Sequence, residues 1–322
     1  MSTADKPYVI GLDLGGTNSV FGIVDARGEI KATTAIKTKA YPKVEEFVDA
    51  AANALEPIID AVGGIETIKG MGIGAPNGNY YTGNIESAPN LVWKGPVPLA
   101  KLFQEKLNIP VGITNDAHAA AIGEMTSGVA RGMKDFVMIT LGTGVGSGIV
   151  VNGQLVYGSD GFAGELGHAI IDRSPEARQC GCGRKGCLET YCSATGIVRT
   201  AQEMLLKDSR PSKLRDLNPE EITGLDVSVA ARDGDAIALE VLKYTGTLLG
   251  KACANFALFS SPEAFIFFGG PTRSGELLME HVRKAYDEDI LNIFKGHAKI
   301  LLSGLSGSDA AVLGASALGW EL

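Results

Sequence analysis

Residues 8–24 read YVIGLDLGGTNSVFGIV, and this stretch decides the fold. Two apolar runs, 8–14 and 19–24, flank the glycine-rich turn 15–18, a pattern that predicts two antiparallel strands. After a further turn, residues 29–36 alternate in polarity and predict a third strand. The start of the chain therefore predicts an antiparallel meander.

The same pattern returns in the middle of the chain, with the turn GTGVG at 142–146, the hairpin signal Asn152-Gly153 and a third strand at 154–157. Gly142-Thr143 stands at the same point of the meander as Gly16-Thr17. Meanders are common, so coincidence is one explanation of the repeat. The recurring Gly-Thr pair favours the other, an internal duplication that divides the chain into two similar halves.

Helical periodicities alternate with apolar strands along the rest of the chain. Helices are predicted at 43–62, 97–107, 117–127, 190–207, 226–232, 236–259, 276–289 and 309–318. Further strands are predicted at 70–74, 111–114, 264–268 and 298–302. Strands that alternate with helices place the protein in the α/β class.

The composition is that of a globular protein. The chain has 322 residues, enough for two domains, and 45% of them are apolar. The net charge is −8, and the densest basic cluster is Arg184-Lys185, so no nucleic-acid partner is expected. No apolar run reaches the ~18 residues of a membrane span, and the polar segment 1–7 is unlike a signal peptide. We therefore expect a cytoplasmic protein without a membrane partner.

The two glycine-rich turns are candidate phosphate sites. Neither fits the P-loop pattern, and neither leads into a helix as the dinucleotide fingerprint requires. Backbone N–H groups in such turns can nevertheless form a nest that binds anions. Asp13 stands just before the first turn, and a carboxylate beside a phosphate calls for a cation such as Mg²⁺. The alternative is that both turns are plain hairpins.

Asn115 and Asp116 follow the predicted strand 111–114 and precede a predicted helix. Either residue type is a favoured helix N-cap. A carboxylate at the carboxyl end of a strand is also where α/β sheets place ligand-binding groups. Spacing alone leaves both interpretations open.

Three of the five cysteines lie within eight residues, at Cys180, Cys182 and Cys187, and His168 precedes them by twelve positions. Three thiolates and one imidazole form a common tetrahedral zinc set. The spacing C-x-C-x₄-C is tighter than the general zinc pattern, so a set of reduced buried thiols is the alternative. Cys192 and Cys253 have no matching partners and are expected in the core.

These segments together resemble the ROK family, which contains actin-like sugar kinases and repressors. Residues 12–18, LDLGGTN, resemble its first phosphate motif, and residues 141–146, LGTGVG, resemble the second. Residues 268–271, FGGP, are similar to its adenosine-side motif, although a third glycine is more usual at Pro271. The cysteine cluster is similar to the family's zinc signature.

The resemblance covers nearly the whole chain, from about 9 to 318, and implies two actin-like (ribonuclease H-like) α/β domains with ATP and sugar in the cleft between them. The expected first domain comprises 1–117 and recovers the C-terminal helix at 308–322. The expected second domain comprises 118–307 and holds a zinc-binding loop at 160–190.

The resemblance also implies roles for individual residues. The implied nucleotide-binding residues are Asp13, Gly15, Gly16, Thr17, Asn18, Gly142, Thr143, Gly144, Gly269 and Gly270. The implied sugar-binding residues are Asn90, Asn115, Asp116, Glu165, His168 and Glu189. The implied ligands of a structural Zn²⁺ are His168, Cys180, Cys182 and Cys187. Asp116 is the implied catalytic base, which accepts the proton of the attacking sugar hydroxyl.

The expected activity is ATP- and Mg²⁺-dependent transfer of the γ-phosphoryl group to a primary hydroxyl of glucose, the 6-OH. Alternatives within the family are an N-acetylglucosamine or N-acetylmannosamine kinase, or a fructokinase. A sugar-binding repressor or a pseudokinase belongs to a different class. The first phosphate motif begins so early that we expect no helix-turn-helix domain before it, and the intact Asp13, Thr17 and Asp116 argue against a pseudokinase. We also expect a homodimer.

Overall fold

The computed structural model of the chain describes residues 6–88, 90–305 and 307–322. Its strands are β1 (Tyr8–Leu14), β2 (Ser19–Asp25), β3 (Ile30–Ile36), β4 (Ile68–Ala75), β5 (Val111–Asn115), β6 (Phe136–Leu141), β7 (Val145–Val151), β8 (Gln154–Leu155), β9 (Ala264–Gly269) and β10 (Lys299–Leu302). Its α-helices are α1 (Val44–Asp60), α2 (Leu99–Leu107), α3 (Asp116–Ser127), α4 (Glu189–Cys192), α5 (Ala194–Lys207), α6 (Gly224–Arg232), α7 (Ala236–Ser260), α8 (Glu276–Asp289) and α9 (Gly307–Trp320).

The two sheets have the same topology. The first has the strand order β3-β2-β1-β4-β5, in which β2 is antiparallel to β1 and β3, and β4 is parallel to β1 and β5. The second has the order β10-β9-β6-β7-β8, with β7 antiparallel to β6, and β9 parallel to β6 and β10. The α/β class and the internal duplication are therefore confirmed.

The chain forms two compact units. The first contains the residues up to Gly132 together with Leu155–Ala163 and Gly304–Leu322. The second contains Met133–Gln154 and Gly164–Ser303. Helix α3 thus belongs to the first unit, which extends past the boundary expected after residue 117. A short segment from the middle of the chain, 155–163, also belongs to it.

Glycines let α9 pack closely on the first sheet. A Cβ on Gly11 of β1 would lie 2.2 Å from the carbonyl oxygen of Val312, and one on Gly72 of β4 would lie 1.9 Å from that of Ala315. The other face of this sheet is covered by α1 and α2, whose Phe47 and Phe103 are fully buried. In the second unit, β9 and helices α7 and α8 share the second core.

Two predicted elements differ from the structure. The predicted third strand at 154–157 is only two residues long, because the chain leaves the second sheet at Leu155 and joins the first unit. The predicted helix 190–207 is broken at Ser193, whose hydroxyl accepts a hydrogen bond from Gly196 N and so caps a new helix, α5.

Within the described ranges, no helix has both the length and the apolar character needed to cross a membrane.

Candidate active site and metal centre

Two carboxyl groups meet at the carboxyl edge of the first sheet. Asp13 lies near the end of β1, and Asp116 directly follows β5; the strand between them, β4, contributes only Gly74 at this level. The pKa of Asp13 is raised to about 6, mainly by burial and to a smaller extent by the negative charge of Asp116. A cation bound near these two carboxylates would relieve their repulsion, so the pair favours a cation site.

Asn115 and Asp116 share the beginning of α3. Asn115 is the N-cap, and its Oδ1 accepts a hydrogen bond of 2.8 Å from Ala117 N, so the capping interpretation is confirmed for this residue. Asp116 is the first helical residue, and its Oδ1 accepts from the same N–H at 2.7 Å. Desolvation by the surrounding protein raises the pKa of Asp116, although solvent still reaches the side chain. A raised pKa makes a carboxylate a better proton acceptor.

The first glycine turn is closed by a hydrogen bond of 3.0 Å from Gly15 N to Asn18 O. Gly16 packs against Asn90, because a Cβ on Gly16 would lie only 2.6 Å from the Asn90 carbonyl oxygen. The side chains of Thr17 and Asn18 are exposed. The turn therefore presents backbone and two polar side chains to solvent beside the predicted sugar residue Asn90.

The segment 155–163 holds the beginning of α3, a support that the sequence did not reveal. His118 Nε2 donates a hydrogen bond of 2.8 Å to Ala163 O, and its Nδ1 lies 3.4 Å from the Thr114 hydroxyl. Tyr157 stacks on Tyr80 with ring centroids 4.2 Å apart. Burial lowers the pKa of His118, so the ring stays neutral and its Nε2–H can serve as the donor.

The predicted nucleotide residues of the second unit lie at the carboxyl edge of its sheet. Strands β6 and β9 are parallel neighbours with Leu141 opposite Gly269, so the turn 142–144 and Gly269-Gly270 emerge side by side. Gly269 has φ +116, and a Cβ there would lie 2.1 Å from Leu141 O, so only glycine fits. Pro271 lies in the first turn of the 3-10 helix Gly270–Ser274, where no N–H is needed.

The second glycine turn is held by the beginning of α5. Ala194 N donates a hydrogen bond of 2.8 Å to Gly142 O, and the Thr195 hydroxyl donates one of 3.0 Å to Thr143 O. A Cβ on Gly144 would lie 2.4 Å from Glu189 Oε2. The turn thus touches a predicted sugar residue directly.

The three predicted sugar residues of the second unit converge at the start of β7. Glu189 Oε2 accepts a hydrogen bond of 3.0 Å from Val145 N. Glu165 and His168 flank a 3-10 turn, with His168 Nε2 3.9 Å from Glu165 Oε2. That turn packs on β7, because a Cβ on Gly167 would lie 2.0 Å from Val145 O.

The predicted zinc ligands form one cluster. The ligand atoms of His168, Cys180, Cys182 and Cys187 all lie within 4.8 Å of one another. Cys182 Sγ is 3.7 Å from Cys187 Sγ, and Cys180 Sγ is 3.7 Å from His168 Nδ1. Zinc–sulfur bonds of about 2.3 Å in a tetrahedron place two sulfurs about 3.7 Å apart. The cluster therefore fits Zn²⁺, with Nδ1 on the metal side and Nε2 on the side of Glu165.

The charges in the cluster also favour a cation. Burial raises the pKa of the Cys180 thiol to about 12 and raises that of Cys187 as well. Burial acts in the same direction on Cys182, but hydrogen bonds from Arg184 outweigh it and lower the pKa to about 6. Thiols this close cannot all ionise without a positive charge among them, and Zn²⁺ would supply it.

Comparisons with known proteins identify the family of the chain. The model of the ROK family matches residues 9–321. A glucokinase of Halalkalibacterium halodurans is 36% identical over 98% of this chain and 95% of its own length. A crystal structure of a ROK family glucokinase from Streptomyces griseus, in complex with glucose and AMPPNP, has a TM-score of 0.81 and 33% identity, covering 98% of this chain and 100% of that one. A ROK family transcriptional regulator, a homolog of E. coli MLC protein, has a TM-score of 0.84 and 25% identity, covering 98% of this chain and 78% of that one.

Proposed function

This chain belongs to the ROK family, and we propose that it is an ATP-dependent sugar kinase that transfers the γ-phosphoryl group to the 6-OH of glucose. The observation that carries the proposal is the likeness, over nearly the full length of both chains, to a glucokinase whose structure contains glucose and an ATP analogue. The carboxyl pair in the first unit and the glycine turns in the second are the groups that such a reaction needs.

Asp116 acts as the general base. Its carboxylate accepts the proton of the sugar hydroxyl while the hydroxyl oxygen attacks the γ-phosphorus and the bond to the bridging oxygen of ADP breaks. The hydrogen bond from Ala117 N fixes one carboxylate oxygen and leaves the other to receive the proton. The raised pKa brings the carboxyl closer to the ideal strength for a base at neutral pH.

We propose that each glycine turn, taken within its own unit, is a phosphate-binding element for the nucleotide. Gly15 N and Gly142 N close the two turns by donating to Asn18 O and Gly144 O, and the N–H groups of residues 16–18 and 143–144 are the ones proposed to bind the phosphates. Gly269-Gly270 is proposed to bind the adenosine. Mg²⁺ fits beside Asp13, because the repulsion between Asp13 and Asp116 is relieved by a cation. When bound, Mg²⁺ neutralises charge on the transferred group.

The sugar hydroxyls are bound by Asn90, Asn115, Glu165, His168 and Glu189. Carboxylates, amides and imidazole suit hydroxyl groups, which both donate and accept hydrogen bonds. Zn²⁺ has a structural role. His168, Cys180, Cys182 and Cys187 would hold it, and the bond to Nδ1 would fix the His168 ring with Nε2 free for a sugar hydroxyl and would order the loop that ends in Glu189.

We also infer a cytoplasmic location, because a cluster of three reduced, metal-binding thiols is typical of proteins in a reducing compartment. The alternatives within the family differ in substrate: a 2-acetamido sugar or fructose in place of glucose. None of the contacts described above selects among these sugars.

We further infer that two copies associate through the second unit. Phe259 at the end of α7 is 87% exposed beside a groove of about 390 Å³. The apolar side chains lining the groove include Ile171, Leu248 and Phe256. Lys251 and Asp289 form an ion pair of 3.8 Å at its edge. A two-fold dimer presents the same surface twice, so the Phe259 ring of each copy can enter the groove of the other.

The test is a coupled assay of ADP release with Mg-ATP and a panel of sugars: glucose, N-acetylglucosamine, N-acetylmannosamine, mannose and fructose. We expect the highest kcat/KM with glucose. Turnover that is highest with another sugar of the panel would contradict the assignment of glucose but keep the kinase. The absence of sugar-dependent ADP release, with sugar binding retained in calorimetry, would contradict the kinase and favour a binding protein such as a regulator.

A further inference from the structure

Arg178 is a buried cation whose two terminal guanidinium nitrogens make four hydrogen bonds. Only 5% of the residue is exposed. Its Nη1 and Nη2 atoms donate hydrogen bonds of 2.7–3.2 Å to Thr190 O, Gly196 O, Thr200 Oγ1 and Glu203 Oε2. The guanidinium also lies 4.5 Å from the centre of the Tyr191 ring. A charge is buried in this way only when it is paired and hydrogen-bonded, so this network fixes the elements that it joins.

One of those elements is the metal loop. Arg178 stands two residues before the zinc ligand Cys180, and its carbonyl oxygen accepts a hydrogen bond of 2.9 Å from Gly186 N, next to the ligand Cys187. Its N–H donates a hydrogen bond of 3.1 Å to Tyr191 Oη. The backbone of Arg178 therefore closes the metal loop, while its side chain extends out of the loop to contact α4 and α5.

The other element is the turn between α4 and α5. The guanidinium binds Thr190 O, which adjoins the predicted sugar residue Glu189, and Gly196 O in the first turn of α5. The same first turn holds the second glycine turn through Ala194 N and the Thr195 hydroxyl. The segment 189–196 thus begins with the predicted sugar-binding residue Glu189, and its residues Ala194 and Thr195 support the glycine turn 142–144.

We propose that Arg178 is a positioning residue that sets Glu189 and the glycine turn 142–144 relative to each other, so that sugar and nucleotide binding depend on one buried side chain. The proposal rests on the proposed kinase function. Arg178 contacts neither predicted substrate site directly, so it acts through the α4–α5 turn. Lysine cannot replace it, because an ammonium group lacks the planar fork that reaches four acceptors while stacking on Tyr191.

The test compares Arg178→Lys with Arg199→Lys. Arg199 binds the other oxygen of Glu203, at 2.9 Å, but from the exposed face of α5. We expect Arg178→Lys to raise the KM for glucose and the KM for ATP together and to lower kcat/KM on the order of 10²-fold, because small displacements of positioning groups have effects of that size. Zinc content should stay at one ion per chain. Arg199→Lys should change each constant less than about twofold.

Two results would overturn the proposal. One is an Arg178→Lys protein with both KM values unchanged. The other is loss of zinc from this variant with activity restored by added zinc, which would mean that Arg178 only retains the metal. If Arg178→Lys does not fold, Thr200→Val removes one of its acceptors, and unchanged KM values in that variant would overturn the proposal equally. Failure of the kinase function itself is separate, because wild type would then show no sugar-dependent ADP release.

Discussion

Replacing Asp116 by asparagine removes the proposed general base and leaves its surroundings almost unchanged. The new side chain has the same shape, and its amide oxygen can keep the 2.7 Å hydrogen bond from Ala117 N. Loss of a general base lowers a rate ~10²–10⁴-fold, which corresponds to about 3–5 kcal/mol of activation free energy. We therefore expect kcat to fall by that factor, measured by ADP release at saturating glucose and ATP.

Asp116→Asn should be at least as stable as wild type at neutral pH, because the desolvation that raises the pKa of Asp116 disfavours its charged form in the folded state. A carboxylate in the first turn of a helix is stabilising by about 0.3–1 kcal/mol, and this interaction with α3 is lost. The repulsion that Asp116 exerts on Asp13 is lost as well. Thermal unfolding should confirm a folded variant, and Asp60→Asn, an exposed aspartate at the end of α1, serves as a control with unchanged kcat.

The pH profile gives the same prediction a second readout. Because desolvation raises the pKa of Asp116, the base form disappears as pH falls through that raised pKa. The wild-type rate should therefore fall on the acidic side at a pH above the usual range of an aspartate. The variant should lose the part of this fall that belongs to Asp116 and keep the part that belongs to Asp13, whose pKa is about 6. An Asp116→Asn protein with kcat within threefold of wild type would refute the assignment of the base.

Three further predictions concern stability, metal and assembly. The Asp13 carboxyl has a folded pKa of about 6 against 3.8, so folding favours its protonated form; this contribution to stability is complete below pH 3.8 and is lost as pH rises through 6. Asp13→Asn should therefore be more stable than wild type at pH 8, by up to about 3 kcal/mol in urea unfolding without magnesium. The variant should also be inactive. Equal stability of the two proteins at pH 8 would contradict the burial of the Asp13 charge. Cys182→Ser should abolish stoichiometric zinc in elemental analysis and raise the KM for glucose, whereas Cys192→Ser should retain the metal; full zinc in Cys182→Ser would exclude the proposed ligand set. Phe259→Asp should convert the proposed dimer to a monomer in light scattering, whereas Leu206→Asp, at a side chain 88% exposed on α5, should not. A monomeric wild type would contradict the proposed interface.

Much of the fold could be predicted because its signals are local. The apolar runs on either side of Gly16 and Gly142 specify strands that pair with their immediate neighbours, and the shared strand order of the two sheets confirms the duplication. The cluster of His168, Cys180, Cys182 and Cys187 could be predicted because its three cysteines lie within eight residues. Helix α3 was found except for its first residue, since Asn115 and Asp116 are both good residues for a helix start.

The remaining features depend on contacts between distant parts of the chain. The segment 155–163 joins the first unit because Asn79 Nδ2 donates a hydrogen bond of 2.7 Å to Asp160 O and a Cβ on Gly161 would lie within 3 Å of the same side chain. Arg178 appears in the sequence as one cation in a polar loop, and only its burial among four acceptors distinguishes it. Neither feature has a periodic or spaced pattern that could have been recognised beforehand.

The proposed reaction transfers a phosphoryl group from ATP to the primary hydroxyl of glucose. The most direct measurement is ³¹P NMR of a reaction containing the protein, glucose and Mg-ATP. We expect a new phosphomonoester signal that grows in step with ADP and is split into a triplet by the two protons on C6. A doublet, from an ester on a ring carbon with one proton, would contradict the assigned hydroxyl. Growth of inorganic phosphate alone would contradict sugar phosphorylation altogether.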